Sequence, residues 1–134
     1  MIVDASALVA IVLAEPQAPR LLDALATARP AAISAATALE VAIVIDAKNN
    51  PVLSHRLDAL LDDIAIVPVT AEHARIARAA YRDYGRGSGH GAKLNFGDCF
   101  SYALAAETGK ALLYVGDDFA RTDLDSALDG DAGA

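Results

Sequence analysis

The sequence predicts an α/β fold in which helices cover both faces of a mostly parallel sheet, a three-layer α/β/α sandwich. Short apolar runs rich in Ile and Val alternate along the chain with longer stretches of helical periodicity. Strands separated by helices pair in parallel through right-handed crossovers, which buries both faces of the sheet. The chain has 134 residues, 54% of them apolar, which is enough for one domain over residues 1–134 with its own core.

The first half of the chain is predicted to contain two strands and four helices. Pro16 ends the first helix, Pro30 follows the second, and residues 49–51 end the third. Ser34 or Thr37 is available to cap the third helix. The predicted strands cover residues 2–3 and 31–34, and the predicted helices cover residues 5–14, 18–28, 36–48 and 53–62.

The second half of the chain continues the same alternation. A strand over 64–69 is followed by a helix over 72–84, and a helix over 96–108 is followed by a strand over 112–115. Between the two helices, residues 85–97 contain five glycines and are expected to form a mobile loop, the glycine-rich loop. A short edge strand over 122–124 and a frayed polar end are also expected.

Acidic residues occur in this chain within apolar runs. Asp4 interrupts the first run, Glu40 and Asp98 are the lone charges of two others, and Asp117 and Asp118 close a fourth. A carboxylate taken out of water is costly unless a cation or strong hydrogen-bond donors compensate for the lost hydration. A shared cation is therefore expected, and a hard divalent ion such as Mg²⁺ or Mn²⁺ prefers carboxylate oxygens.

These acids are expected to meet at one edge of the sheet. Asp4 follows the first strand and the Asp117–Asp118 pair follows the last, and sites in open parallel sheets form at the carboxyl ends of strands. Asp98 at the start of its helix and Glu40 one turn into its own can face the same edge. The predicted catalytic residues are Asp4, Glu40, Asp98, Asp117 and Asp118; the predicted metal ligands are Asp4, Glu40, Asp98 and Asp117, with Asp4 as the ligand that two ions would share.

Most of these acids also have an ordinary structural explanation. Asp4 can cap the helix that begins at residue 5, Asp98 suits the positive first turn of its helix, and Asp117 and Asp118 can be turn residues. Glu40 is not covered, because its helix is apolar on every side and no arginine lies nearby in the sequence. One metal cluster explains all of these positions, so the cluster is the preferred hypothesis.

The basic residues are clustered although the formal net charge is −7. A negative balance argues against a nucleic-acid partner, since phosphate binding normally comes from Lys and Arg. Arg75, Arg78, Arg82 and Arg86 nevertheless share one face at helical spacing, and a solvated helix face explains them as well as phosphate contact does. The candidate substrate-binding residues are Arg82, Arg86 and Lys93, together with Ser6, whose hydroxyl can hydrogen-bond a metal-bound water or a phosphate.

Composition excludes several other classes of protein. The single Cys99 excludes an internal disulfide, and three scattered histidines do not favour a zinc site. Acids break every apolar run before it reaches the length of a membrane span. The opening run lacks the basic lead region of a signal peptide, so a cytoplasmic protein is expected.

Four segments occur in an order typical of a known family: MIVDASALVAI, the helix bearing Glu40, LNFGDCFSYALA and LLYVGDDFARTDL. Over nearly the whole chain they resemble the PIN-domain ribonucleases, and specifically the VapC toxins of bacterial type II toxin–antitoxin pairs. The resemblance implies a compact α/β/α domain and an endoribonuclease that depends on Mg²⁺ or Mn²⁺ and often cleaves a tRNA or ribosomal RNA. It also implies a homodimer neutralised by a VapB antitoxin, whose C-terminal segment wraps the toxin and occludes the acidic pocket.

The resemblance assigns the acids of the family to positions in this chain. They fall on Asp4, Glu40, Asp98 and one of Asp117 or Asp118. The chain departs from the family pattern at Gly116, where many relatives carry the fourth acid, three residues before the Phe. The apolar helix residues expected to supply a homodimer surface are Leu8, Ile11 and Val12.

Two other classes of magnesium-dependent α/β protein fit the sequence less well. A magnesium-binding receiver domain expects an acidic pair after the first strand and a Lys after the last, whereas here one acid follows the first strand and Lys110 precedes the last. A phosphotransferase of the HAD type expects Asp-x-Asp where this chain has Asp4, Ala5 and Ser6. A catalytically degenerate PIN-like binding module remains as the non-enzyme alternative, and metal-dependent RNA cleavage distinguishes it from a nuclease.

Overall fold

A four-stranded parallel sheet runs through the computed structural model, which describes residues 1–128. The strands lie in the order β3-β2-β1-β4, and every pair is parallel. They are β1 (Ile2–Val3), β2 (Ala32–Ser34), β3 (Ala65–Val67) and β4 (Leu112–Leu113). The helices are α1 (Ala5–Val12), α2 (Ala18–Thr27), α3 (Ala35–Asp46), α4 (Pro51–Asp62), α5 (Ala71–Tyr84) and α6 (Asp98–Thr108).

Two apolar cores form on opposite faces of the sheet. Val3 and Leu113 pack into a core with α1, α3 and α4, whereas Ile2 and Leu112 pack into a second core with α6 and Phe119. Neighbouring strand residues separate in this way because successive side chains of a β-strand point to opposite faces. The predicted α/β/α sandwich is confirmed.

The apolar residues of α1 belong to the first core. Leu8, Ile11 and Val12 are buried, because α1 packs against α2, α3 and α4. The expectation that these three side chains supply a homodimer surface is therefore wrong. Exposed apolar side chains occur instead on α3, where Leu39 and Ile43 are 62% and 61% exposed.

Some boundaries differ from the predicted ones for local reasons. Pro51 begins α4 instead of ending α3, because Asn50 caps the helix and accepts a hydrogen bond from Val52 N at 3.1 Å. The predicted edge strand over 122–124 is wrong: residues 122 and 123 form a bend, residue 124 has no regular structure, and the isolated parallel bridge to Leu112 comes from Ser126. The polar end that was expected to be frayed is described only as far as Leu128, and residues 129–134 lie outside the described part.

No helix of the described residues combines the length and apolar character needed to cross a membrane.

Candidate active site

Acids from distant parts of the chain line one groove of about 380 Å³. The groove lies where β1 gives way to α1 and where the chain leaves β4, which is the carboxyl end of the sheet. We call it the acidic groove. It is lined by Asp4, Ser6, Glu15, Glu40, Asp98 and Asp118, together with Ala5, Val9, Val44, Asn95 and Val115.

Asp4 is buried and held by three hydrogen bonds. Its Oδ2 accepts from Ser6 N at 3.0 Å and from Ser6 Oγ at 2.7 Å, which makes Asp4 the N-cap of α1. Its Oδ1 accepts from Ser101 Oγ at 2.6 Å. Ser6 Oγ in turn accepts from Val115 N at 3.0 Å. The capping role suggested by the sequence is real, and the same carboxylate lines the groove.

Asp98 is buried at the start of α6. Its backbone N donates to Asn95 Oδ1 at 2.9 Å, and Asn95 N donates to Asp98 Oδ2 at 3.0 Å, so the two residues cap the helix reciprocally. Burial, with smaller contributions from the charges of Asp4, Asp118 and Glu40, raises the pKa of Asp98 to about 7, although the Asn95 N–H opposes the shift. Near neutral pH the Asp98 carboxyl is therefore divided between its protonated and ionised forms.

Glu40 is half-buried on α3 and faces the other acids. Burial raises the pKa of Glu40, and the charge of Asp4 adds to this effect. Its carboxylate lies against Gly97: a Cβ atom at Gly97 would overlap Glu40 Oε2 and stand 2.7 Å from Glu40 Cδ. Although α3 is apolar on every side, it is not buried on every side, because Leu39 and Ile43 are exposed. Glu40 nevertheless lines the groove that contains Asp4.

The ion pairs of residues 1–128 do not neutralise the groove. They join Arg75 to Glu72 and Arg82 to Asp83, and His73 Nε2 is hydrogen-bonded to Glu107 Oε1 at 2.7 Å; none of these acids lines the groove. The acidic groove therefore has no guanidinium or ammonium partner within the described part of the chain.

Asp117 and Asp118 differ in their placement. Asp118 lines the acidic groove, and its charge raises the pKa of Asp98. Asp117 is exposed, as Asp118 is, but it does not line the groove, and its backbone carbonyl accepts a hydrogen bond from Ala120 N at 3.2 Å in a turn. Of the two, Asp118 is therefore the residue that lies in the same groove as Asp4, Glu40 and Asp98. Sequence reasoning missed Glu15, an exposed acid that follows α1 and also lines the groove.

A second cleft, of about 610 Å³, adjoins the acidic groove at Asp118, which lines both. We call it the basic cleft, because Arg86 and Lys93 of the glycine-rich loop line it with His90. Arg121 lies against this loop as well, since a Cβ atom at Gly91 would stand 3.0 Å from Arg121 Cδ. Sequence reasoning missed Arg121, because only the folded chain brings it to the loop.

The predicted basic face divides in the structure. Arg86 lies beyond the end of α5 at Tyr84 and belongs to the basic cleft. Arg82 stays on α5, is exposed, and donates from Nε to Asp83 Oδ1 at 3.0 Å. It lines neither the basic cleft nor the acidic groove. Of the predicted substrate-binding cations, Arg86 and Lys93 therefore lie next to the acids and Arg82 does not.

The chemistry of the acidic groove fits a hard divalent cation. Its side-chain donors are carboxylate oxygens, the ligands that Mg²⁺ and Mn²⁺ prefer, and repulsion among them is one cause of the raised pKa values of Glu40 and Asp98. Within residues 1–128, no three His, Cys, Asp or Glu side chains stand at the spacing of an assembled metal site. The acids predicted for this site are buried to different degrees: Asp4 and Asp98 are buried, whereas Glu40 is half-buried and Asp118 is exposed.

Comparison with known proteins identifies the family. A sequence model of the PIN domain matches residues 1–124. Ribonuclease VapC28 of Mycobacterium tuberculosis (strain ATCC 25618 / H37Rv) is 52% identical over 131 residues, which are 96% of this chain and 98% of the relative. Ribonuclease VapC42 of the same strain is 49% identical over 126 residues, or 92% of this chain and 96% of the relative.

Solved structures show the same fold at lower sequence identity. M. tuberculosis VapC20, described as a sarcin-ricin loop cleaving toxin, has a TM-score of 0.72 and 16% identity, covering 92% of this chain and 95% of that one. A toxin–antitoxin complex from Klebsiella pneumoniae has a TM-score of 0.71 and 21% identity, covering 91% and 92%. The resemblance found in the sequence is thus confirmed by relatives at about half identity over almost the full chain: this protein belongs to the PIN-domain family, among its VapC ribonucleases.

Proposed function

We propose that this protein is an RNA-cleaving toxin that hydrolyses a phosphodiester bond with Mg²⁺ or Mn²⁺ held in the acidic groove. The observation that carries this proposal is the position of Glu40. Its carboxylate comes from α3 to lie against Gly97, beside Asp98, in a groove shared with Asp4. Bringing these like charges together costs free energy, and a bound cation would offset that cost.

Asp4, Glu40, Asp98 and Asp118 would hold the ion. When bound, it supplies Lewis-acid chemistry, activating water and stabilising the negative charge of the transition state. Ser6 and Ser101 fix the orientation of Asp4 through the hydrogen bonds described above. The Ser6 hydroxyl donates to Asp4 and accepts from Val115 N, so Ser6 acts by orienting Asp4 and not by contacting the substrate.

The substrate would cross from the basic cleft into the acidic groove. Arg86 and Lys93 would contact phosphates, and Asp118 stands where the two meet. The scissile phosphate would therefore lie near Asp118. Candidate RNAs are tRNA and ribosomal RNA, including the sarcin-ricin loop, which the name of the similar toxin VapC20 specifies.

RNA cleavage with controlled metal content tests the proposal. Labelled tRNA, ribosomal RNA and a sarcin-ricin loop oligonucleotide are incubated with the protein in Mn²⁺, in EDTA, and in EDTA followed by excess Mn²⁺. Cleavage is expected only when the ion is free to bind. If none of these RNAs is cut in a metal-dependent way, the degenerate PIN-like binding module is the better hypothesis.

The partner is proposed to be a VapB-type antitoxin acting in the cytoplasm. Its binding segment should carry a cation for the acidic groove and apolar residues for the exposed Phe96 beside it. The Klebsiella pneumoniae neighbour is itself a toxin–antitoxin complex.

A homodimer is also proposed, and the exposed Leu39 and Ile43 replace Leu8, Ile11 and Val12 as its candidate surface. Sizing chromatography of the toxin, alone and with antitoxin, measures both associations.

Without divalent ions, the free energy of unfolding should fall as the pH rises from about 4 to about 7. The pKa of Asp98 is about 7 in the folded protein against 3.8 ordinarily, so the folded state binds this proton more tightly than the unfolded chain does. That stability is fully present below the unfolded pKa and lost as the pH rises through the folded one. The loss is on the order of a few kcal/mol at most, and the raised pKa of Glu40 adds in the same direction.

Melting curves at pH 5, 6, 7 and 8, in EDTA and in millimolar Mn²⁺, measure this dependence. Mn²⁺ should restore stability at high pH because it binds only the folded groove. Asp98→Asn should flatten the pH profile in EDTA. A melting temperature that responds neither to pH nor to Mn²⁺ contradicts the proposed coupling.

Asp118→Asn should reduce RNA cleavage by about 10-fold to 100-fold, whereas Asp117→Asn should change it by less than about twofold. The two residues are adjacent and lose the same charge, but Asp118 alone of the pair lines the acidic groove. Initial cleavage rates at fixed Mn²⁺ compare the variants directly. The reverse ranking would assign the fourth acid to Asp117.

A further inference from the structure

Two buried hydroxyls form a hydrogen-bonded chain that ends on Asp4. Thr37 Oγ1 lies 3.2 Å from Ser101 Oγ, and Ser101 Oγ donates to Asp4 Oδ1 at 2.6 Å. Thr37 is 1% exposed and Ser101 is 0% exposed, so water does not reach this chain from outside. The three residues come from α3, α6 and the end of β1.

The direction of the chain follows from counting protons. A serine hydroxyl has one proton, and Ser101 uses it on Asp4. Thr37 must therefore be the donor in its bond with Ser101. Both hydroxyl dipoles then point toward the carboxylate, and such aligned bonds strengthen one another in a buried environment.

Each hydroxyl is placed one helical turn from an acid of the groove. Thr37 precedes Glu40 by three residues on α3, and Ser101 follows Asp98 by three residues on α6. Residues three apart share a helix face. The two hydrogen bonds therefore link α3 to α6 and α6 to Asp4. The linked elements are the ones that carry Glu40, Asp98 and Asp4.

The chain also limits which lone pairs of Asp4 remain free. An ionised carboxylate has about four acceptor sites. Ser6 N and Ser6 Oγ occupy Oδ2, and Ser101 occupies one site of Oδ1. One site remains, on Oδ1, and the Ser101 bond fixes where it points. Asp4 is thus arranged to give an ion one oxygen, which disfavours the sequence-based expectation that Asp4 is shared by two ions.

We propose that Thr37 and Ser101 are positioning residues that set the spacing of Asp4, Glu40 and Asp98 for a divalent ion, an inference that rests on the proposed function. The ordinary explanation is that the two hydroxyls only satisfy one another in the core. A buried hydroxyl in this region is not always hydrogen-bonded. Ser34 is buried at the end of β2, which pairs with β1, and its Oγ has no hydrogen-bond partner within residues 1–128.

Mn²⁺ binding measured by titration calorimetry on folded variants tests the proposal. Ser101→Ala should weaken Mn²⁺ binding by about 10-fold to 100-fold, the range typical of losing a group that orients a metal ligand. Thr37→Val keeps the shape and removes the hydroxyl, so it should also weaken binding. Thr37→Ser keeps the hydroxyl and should bind as the wild type does. Ser34→Ala removes a buried hydroxyl outside the chain and is the matched control, with unchanged affinity.

RNA cleavage at subsaturating Mn²⁺ adds a second measurement. The buried hydroxyls of Thr37 and Ser101 do not reach the RNA. Ser101→Ala should therefore lower kcat and leave KM for RNA unchanged. Should Ser101→Ala fail to fold, the contrast between Thr37→Val and Thr37→Ser decides the question.

The outcomes separate this inference from the proposed function. A wild type that binds no Mn²⁺ overturns both. A wild type that binds Mn²⁺, with Ser101→Ala and Thr37→Val binding it equally well, overturns the inference alone. A variant that melts at lower temperature but keeps its Mn²⁺ affinity overturns it too, because the hydroxyls are then only structural.

Discussion

Asp4→Asn is expected to slow RNA cleavage by about 10³-fold or more, as when a member of a catalytic set is removed. The substitution removes the charge of the most buried acid in the groove and replaces one carboxylate oxygen by an amide N–H₂. An ion held by Asp4, Glu40 and Asp98 would lose its best-ordered ligand. The rate of cleavage of a labelled RNA in Mn²⁺ is the measurement.

The same variant should remain folded, which makes Asn a sharper choice than Ala. Asn caps helices as well as Asp does, so its amide oxygen can still accept from Ser6 N at the start of α1. The Ser101 hydroxyl can rotate to accept from the new amide N–H. Circular dichroism and melting in EDTA should therefore resemble those of the wild type, or show higher stability, since one repelling charge has gone from the groove.

Asp62→Asn provides the matched control for Asp4→Asn. It makes the same chemical change at an exposed position at the end of α4, outside the acidic groove. Its cleavage rate should match the wild type. If Asp4→Asn prepared in the same way still cuts RNA at the wild-type rate, the activity does not come from this groove.

The fold could be predicted because its signals are local. Short apolar runs alternate with longer runs of helical periodicity, and Pro16 and Pro30 mark breaks between them. This pattern is sufficient to predict parallel strands joined by helices. The position of Pro51 cannot be predicted in the same way, because a proline is compatible with the end of one helix or the start of the next, and only the Asn50 cap decides between them. The burial of Leu8, Ile11 and Val12 in the core cannot be predicted either, because an apolar helix face has the same sequence pattern whether it contacts the core or a partner chain.

The sequence predicts only those site residues that are acids within apolar runs. Asp4 and Asp98 stand out because they interrupt apolar runs near element ends. Ser101 gives no such signal: its partners Thr37 and Asp4 are 64 and 97 residues away in the chain, and serine is common in helices of any kind. Contacts of this range come from the packing of α6 against α3 and against β1, which periodicity does not encode.

Gly97→Ala is expected to reduce RNA cleavage by about 100-fold, the cost of misplacing a catalytic group by roughly 1 Å. Gly97 has φ −63° and ψ −40°, a helical conformation that alanine adopts without strain. The added methyl group would nevertheless overlap Glu40 Oε2. Because that oxygen ends a flexible side chain, Glu40 should swing out of the groove while the backbone stays in place.

Stability should then move in the opposite direction from activity. Replacing glycine by alanine at a compatible position stabilises a protein by about 0.4–1 kcal/mol through the unfolded chain, and displacing Glu40 also relieves its repulsion from Asp4. Gly97→Ala should therefore melt no lower than the wild type in EDTA, yet gain less stability from Mn²⁺. A loss of activity caused by unfolding would instead lower the melting temperature in both conditions.

A double-mutant cycle with Glu40→Ala identifies the cause. In the Glu40→Ala background the methyl group at residue 97 has no carboxylate to displace, so adding Gly97→Ala should change the cleavage rate by less than about twofold. Measured alone, each substitution should slow cleavage to a similar degree. If Gly97→Ala cleaves RNA at the wild-type rate, Glu40 does not act from the position that it occupies against Gly97. If the two losses multiply instead, Gly97 contributes to catalysis by a route other than Glu40.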